Sequence, residues 1–198
     1  MRWLPILLTL VVIIMPTSHA HAATEKAIFA GGCFWCIEAE LEKLPGVLGV
    51  VSGYTGGREE NPTYDQVSSK KTSHIEAVEV TFDPAQIPYA RLLEAFWDNI
   101  DPTDDGGQFY DRGQQYTTAI FYMNEAQKNL AENSKAAKEE KIFRLWGKKI
   151  ATAIRPATTF YAAEDYHQNY YQTNPTHYNA YKTGSGREEK LKKIWGSD

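Results

Sequence analysis

The chain has 198 residues, 42% of them hydrophobic, which is enough to enclose one core and little more. Its formal charge is −4. No run of Lys or Arg is interleaved with aromatic residues, which argues against a nucleic-acid groove.

Met1 and Arg2 precede an almost unbroken apolar run from Trp3 to Met15, and small residues follow at Ala20 and Ala22. This is the layout of a secretory signal peptide, and it points to an exported, periplasmic protein. Cleavage after Ala20 or after Ala22 satisfies the small-residue rule, and residues 1–22 are taken as the signal. The run is shorter than the ~20 residues of a spanning helix, so no stable membrane insertion is expected after cleavage. An uncleaved anchor is the alternative.

Lys26 to Ala30 reads as a strand, and Gly31-Gly32 lets the backbone turn into a helix. Phe34, Ile37, Leu41 and Leu44 recur at helical spacing until Pro45-Gly46 stops them. A second strand is expected from Val47 to Tyr54, then a polar loop, then a third strand from Ile75 to Phe82. Pro88 suits a first helical position, and Tyr89, Leu92, Leu93, Phe96 and Ile100 give that helix one apolar face. A Gly- and Asp-rich loop from Asp101 to Gly113 leads into a strand from Gln115 to Tyr122. Asn124 with Gln127 resembles a capping box opening a polar, solvated helix to about Ile142. Lys149 to Ile154 reads as a last strand. The remainder is Tyr-rich, and residues 184–198 read as a charged tail beyond a single domain of residues 23–183. Irregular alternation without a repeat indicates an α+β fold.

Cys33 and Cys36 are the only cysteines. A bridge closing so short a loop removes little chain entropy, so the pair is better explained by chemistry than by stability. Cys33 lies where a strand passes through two glycines into a helix, a placement that lowers a thiol's pKa. Cys36, one turn on, can reach an oxidised Cys33. C-x-x-C alone fits redox work or half a zinc site, but His74, His167 and His177 lack zinc spacing, so no metal is expected.

Glu76 shares a strand face with Val78, Val80 and Phe82, because side chains alternate with period two. A carboxyl on an apolar face has its pKa raised, unless it lies at the strand end and reaches solvent. Phe34 and Trp35 read by default as core aromatics; Phe34 falls on the apolar stripe of its helix, while Trp35, off it and beside Cys33, also suits a pocket wall. Tyr64 and Tyr116, two of 12 tyrosines, read by themselves as packing residues. Asp111 reads as a turn former and His167 as a hydrogen-bonded structural residue.

Gly31-Gly32-Cys33-Phe34-Trp35-Cys36, followed by Glu38, resembles the signature of the A-type peptide methionine sulfoxide reductases. The resemblance continues through Gly53 to Gly57, Asn61 to Tyr64, His74 to Val78, Asp111 to Tyr116 and Ala163 to Gln168. Several motifs at compatible spacing are far more specific than one. The resemblance implies a ferredoxin-like sandwich with additional elements. It makes Cys33 the nucleophile that attacks the sulfoxide sulfur, and Phe34 and Trp35 the pocket for the substrate methyl group. It makes Glu76 the acid that protonates the sulfoxide oxygen, Tyr64 and Tyr116 its hydrogen-bond donors, and Asp111 a positioning residue. It implies no cofactor, a substrate of methionine S-sulfoxide, free or in proteins, and a thioredoxin-like reductant. Many members carry Gly at the position of Cys36 and recycle through cysteines near the C-terminus. This chain has none there, so recycling runs through Cys36 or directly through an external thiol. The rivals are a thioredoxin-like disulfide oxidoreductase, which explains neither Glu76 nor the aromatic pair, and an exported metal-binding module.

Overall fold

The computed structural model describes residues 23–196, so residues 1–22, read from the sequence as a signal peptide, lie outside the described residues. In chain order the elements are β1 (Glu25–Gly31), α1 (Phe34–Leu41), β2 (Val47–Thr55), α2 (Tyr64–Ser68), β3 (Ile75–Phe82) and α3 (Tyr89–Asp98). A short hairpin, β4 (Gly107–Gln108) and β5 (Asp111–Arg112), precedes β6 (Thr118–Tyr122), α4 (Glu125–Trp146), β7 (Ala153–Pro156) and β8 (Tyr161–Ala162). The chain closes with α5 (Tyr170–Thr173), α6 (Pro175–Gly184) and α7 (Arg187–Trp195).

Six strands form one mixed sheet in the order β7-β6-β1-β3-β2-β8, antiparallel except where β6 meets β7. The fold is therefore α+β. Period-two alternation sorts the side chains by face. Phe29, Val78, Val80, Phe82 and Ile120 meet Phe34, Ile37 and Leu41 of α1 and Leu92, Leu93, Phe96 and Trp97 of α3 in the main core. Ile28, Ala30, Ile75, Ala77, Ala119 and Phe121 pack on the opposite face, covered in part by Ala157 and Phe160. Glu76 belongs to the first set by parity, and β2 sets Tyr54 directly opposite it.

Gly32 has φ +83°, a region that L side chains rarely adopt, and a Cβ on it would lie 2.5 Å from the Gln108 Cβ. This is what lets β1 turn abruptly into α1 with Cys33 at the corner.

Four elements differ from the sequence reading. Gln114–Tyr116 forms a 3₁₀ turn, so the strand expected from Gln115 begins at Thr118; Gln115 is buried and bonds the Ser68 carbonyl at 3.2 Å. The strand expected from Lys149 begins at Ala153, because the Ile150 N–H goes to Glu139 and the Ala151 N–H to the Pro102 carbonyl. Asn124 caps α4 by accepting the Gln127 N–H at 2.9 Å, but the Gln127 side chain does not return to the cap. It accepts the Met123 N–H at 3.0 Å and donates to the Lys26 carbonyl at 2.7 Å, tying α4 to β1. The reciprocal box is instead at Thr63 and Gln66, where it opens α2. α4 is also not wholly solvated, since Ala131 and Ile142 are buried and Ser134 accepts from the Trp97 indole at 3.0 Å. Residues 184–198, read as a charged tail, include α7, whose Ile194 and Trp195 pack on the main core and whose Arg187 is buried.

Candidate active site

Cys33, Phe34, Trp35, Tyr64, Glu76, Asp111, Tyr116 and Tyr181 line one recess of about 60 Å³. It is built where the β1–α1 corner, the start of α2, the start of β3 and the β4–β5 hairpin converge. Seven of these residues were named from the sequence, Tyr64, Tyr116 and Asp111 through the family resemblance alone, and Tyr181 was not named. Cys36 lies behind the recess, packed with Ala39 and Tyr178.

Glu76 is 2% exposed, and one of its oxygens accepts the Phe34 N–H at 3.0 Å. Burial pushes its carboxyl up to about 8, in spite of that bond, with the charge of Asp111 adding to the rise. The group is thus mostly a protonated acid at neutral pH. Burial likewise raises Tyr64, to about 12, and Tyr116, so both hydroxyls remain donors across the neutral range.

The cysteines depart from expectation. Helix placement suggested a lowered Cys33 pKa, whereas in the free protein it is raised. The causes are burial, the adjoining Cys36 and the charge of Glu76; the nearby Tyr181 hydroxyl opposes them. The helix-end N–H of Phe34 is also committed to Glu76. Cys36 is the acidic member of the pair, lowered to about 7 by the Cys33 hydrogen bond and then by the positive charges of Arg187 and Lys182, against burial and Asp111. The Asp111 carboxylate accepts the Tyr181 hydroxyl, and burial raises its pKa.

The Trp35 ring is clamped on several sides. It stacks on Tyr170 with centroids 3.9 Å apart, meets Tyr181 edge-on at 5.8 Å, and donates its indole N–H to His167 Nδ1 at 3.2 Å. His167 itself packs against Phe34 and Tyr64 and has the structural role read from the sequence. Glu164 accepts the Tyr54 hydroxyl and the Tyr64 N–H, both at 2.9 Å, and so fixes the start of α2. Glu38, fully buried one turn after the cysteines, accepts the Asn169 N–H at 3.0 Å; burial lifts its pKa to about 7. His74 bonds the Glu59 carbonyl and accepts the Gly57 N–H, holding the loop after β2. Among the described residues no cluster of His, Cys, Asp and Glu of metal-site type is present.

The recess thus brings together a thiol, an un-ionised carboxyl and two hydroxyl donors within aromatic walls. A family model described as peptide methionine sulfoxide reductase matches residues 25–198. The chain belongs to that family. Peptide methionine sulfoxide reductase MsrA of Bacillus licheniformis is 54% identical over 87% of this chain and 94% of its own length. MsrA 2 of Caulobacter vibrioides is 51% identical over 91% of each. Among solved structures, methionine sulfoxide reductase A of Corynebacterium diphtheriae superposes with a TM-score of 0.73 at 32% identity, covering 77% of this chain and 76% of that one. Reduced Mxr1 of Saccharomyces cerevisiae gives 0.68 at 33% identity, covering 77% and 86%. The reductase is an enzyme, and its family's reaction is the reduction of methionine sulfoxide.

Glu76 has a measurable cost. Its folded pKa lies above its ordinary value near 4.5, so between about 4.5 and 8 the unfolded chain releases a proton that the folded protein keeps. Stability from this group is full below that window and falls as pH rises through it. Glu76→Gln should therefore gain ~3 kcal/mol relative to the native protein on going from pH 4 to pH 7. Urea unfolding of both proteins at the two pH values measures it; an unchanged difference would place Glu76 in contact with water.

Proposed function

We propose that the reductase converts the S epimer of methionine sulfoxide, free or in proteins, to methionine through a sulfenic acid on Cys33 and a disulfide between Cys33 and Cys36. The observation that carries the reading is the un-ionised Glu76 carboxyl in the same recess as the Cys33 sulfur. Sulfoxide oxygen is a poor leaving group until it receives a proton, and an acid with a pKa near the working pH is suited to supply one.

The thiolate of Cys33 attacks the sulfoxide sulfur while Glu76 protonates the oxygen, with Tyr64 and Tyr116 donating hydrogen bonds to it. Phe34 and Trp35 receive the methyl group, and Asp111, through Tyr181, orients the site. The bond between Cys33 and the substrate sulfur then breaks as the oxygen passes, as hydroxyl, from that sulfur to Cys33; methionine leaves with the two electrons that the Cys33 sulfur gives up, and Cys33 is left as a sulfenic acid. The Cys36 thiolate then attacks that sulfur; the S–S bond forms, the S–O bond breaks, and hydroxide leaves with a proton as water. A thioredoxin-like dithiol returns two electrons and regenerates both thiols. The oxidation of substrate and protein balances without a cofactor.

The β6-β1-β3-β2 core with α1 and α3 on one face is read as ferredoxin-like in connectivity. For residues 1–22 we propose a cleaved signal peptide and a periplasmic location. N-terminal sequencing of the mature protein should begin at His21 or Ala23, and retention of Met1 would make the segment an anchor.

Glu76→Gln should lose on the order of 10²–10⁴-fold in the rate of methionine formation. Native turnover across neutral pH would remove the acid role.

The two cysteines separate the steps. Cys33→Ser should form no methionine. Cys36→Ser should release one methionine per molecule and accumulate a Cys33 sulfenic acid that a dimedone trap and mass spectrometry detect, with donor-coupled turnover largely lost. An assay on both sulfoxide epimers of a peptide should yield product from S alone. Full multiple turnover by Cys36→Ser with a thioredoxin-type donor would show that the donor resolves Cys33 directly.

A further inference from the structure

We propose that the end of α4 and the turn after it, Phe143 to Lys149, form a knob that docks the protein peripherally on the surface of an anionic phospholipid bilayer. The inference goes beyond the reduction of methionine sulfoxide and does not depend on it.

The last turn of α4 carries Phe143, Leu145 and Trp146, which are 60%, 51% and 45% exposed. Nowhere else among the described residues are three large apolar side chains exposed within four positions. Single exposed apolar residues are ordinary, whereas a cluster marks a surface that something covers. Every residue from Phe143 to Lys149 is exposed, while Ile142 and Ile150 on either side belong to the main core. The knob is tied down at both ends: the Trp146 indole donates to the Ile194 carbonyl of α7 at 3.1 Å, and the Ile150 N–H goes to Glu139 at 3.1 Å. Between them Gly147 closes the helix at φ +63°, and a Cβ there would meet nothing within 4 Å. The apolar tips therefore sit on a protruding, anchored helix end.

The charges identify the partner. The knob holds Arg144, Lys148 and Lys149 and no Asp or Glu, in a chain whose formal charge is −4. Glu140 pairs with Arg144, whereas Lys148 and Lys149 have no carboxylate partner among the described residues. Trp146 and Lys148 share a hollow with Lys190, Lys193 and Ile194 of α7. Asp101 in that hollow pairs with Lys190 at 3.6 Å, and Lys193 has no carboxylate partner among the described residues. Apolar tips beside unpaired lysines match the boundary of an anionic bilayer, whose acyl chains receive Phe, Leu and Trp and whose phosphates receive the ammonium groups. A second copy would set the same cations against one another. A helix end also offers no groove along which a nucleic acid could lie, and Leu145 presents no ring on which a base could stack.

Vesicle flotation of the protein as recovered after export tests the docking, on mixed phosphatidylglycerol and phosphatidylcholine vesicles and on phosphatidylcholine alone. Binding should favour the mixed vesicles and weaken as sodium chloride rises from about 0.05 to about 0.5 M. Lys148→Glu with Lys149→Glu should weaken it at least ~20-fold, at about fivefold for each cation removed. Phe143→Ser with Leu145→Ser should weaken it ~10-fold. All four side chains are exposed, so both double variants should fold and should reduce free methionine sulfoxide at the native rate. Loss of vesicle binding with native turnover supports the docking. No binding to the mixed vesicles, or equal binding to phosphatidylcholine alone, overturns it. Binding that survives the serine pair is charge adsorption alone, and binding that survives both pairs lies elsewhere, residues 1–22 included; either overturns the assignment to the knob. A dimer in sedimentation velocity that the serine pair dissolves would make a second copy the occupant and overturn the lipid.

Discussion

One hydrogen bond, from the Phe34 N–H to a Glu76 oxygen, joins the opening of α1 to the start of β3, and the recess is arranged about it. It holds the carboxyl within the same few ångströms of volume as the Cys33 sulfur and uses a helix-end N–H that would otherwise face the thiol. Such a bond ordinarily favours the ionised carboxylate. Here burial outweighs it, and the acid keeps its proton. Cys33 shares that environment: its thiol is buried beside Cys36 and Glu76, which disfavour its ionisation.

The sheet alone would leave this constellation open to solvent on one side. The segment from Ala163 onward closes it through polar contacts. Gln168 pairs with both the N–H and the carbonyl of Ser52, Glu164 binds Tyr54 and Tyr64, His167 binds Trp35, and Glu38 receives Asn169. Each buried bond contributes only ~1 kcal/mol net, but losing one partner strands the other, so the set is held as a unit. Specific geometry at Trp35 is in this sense a property of residues more than 130 positions away in the chain.

Much of this was legible from the sequence. Alternation in 75–82 puts Glu76 on the core side because period two leaves no other face, and the apolar stripe from Phe34 to Leu41 fixes how α1 lies on the sheet. Other features gave too little signal. The five residues of α2 are too few for a helical period, and the two-residue strands β4, β5 and β8 are shorter than any alternation can show. Tyr181 and Arg187 lie in a polar stretch whose composition reads as solvated surface, and only the tertiary fold carries Tyr181 to the recess and buries Arg187. Helix position alone also says nothing of the burial that raises the Cys33 pKa, which depends on how the rest of the chain packs over the β1–α1 corner.

The size of the recess sets what can be presented to it. About 60 Å³ is the room of two water molecules, so it admits the tip of a side chain and no backbone. A methionine held within a folded core cannot offer its sulfur end-on to such a depth, whereas one on a frayed terminus or an extended loop can. The flanking sequence of any chain presented to the recess is left outside the aromatic wall.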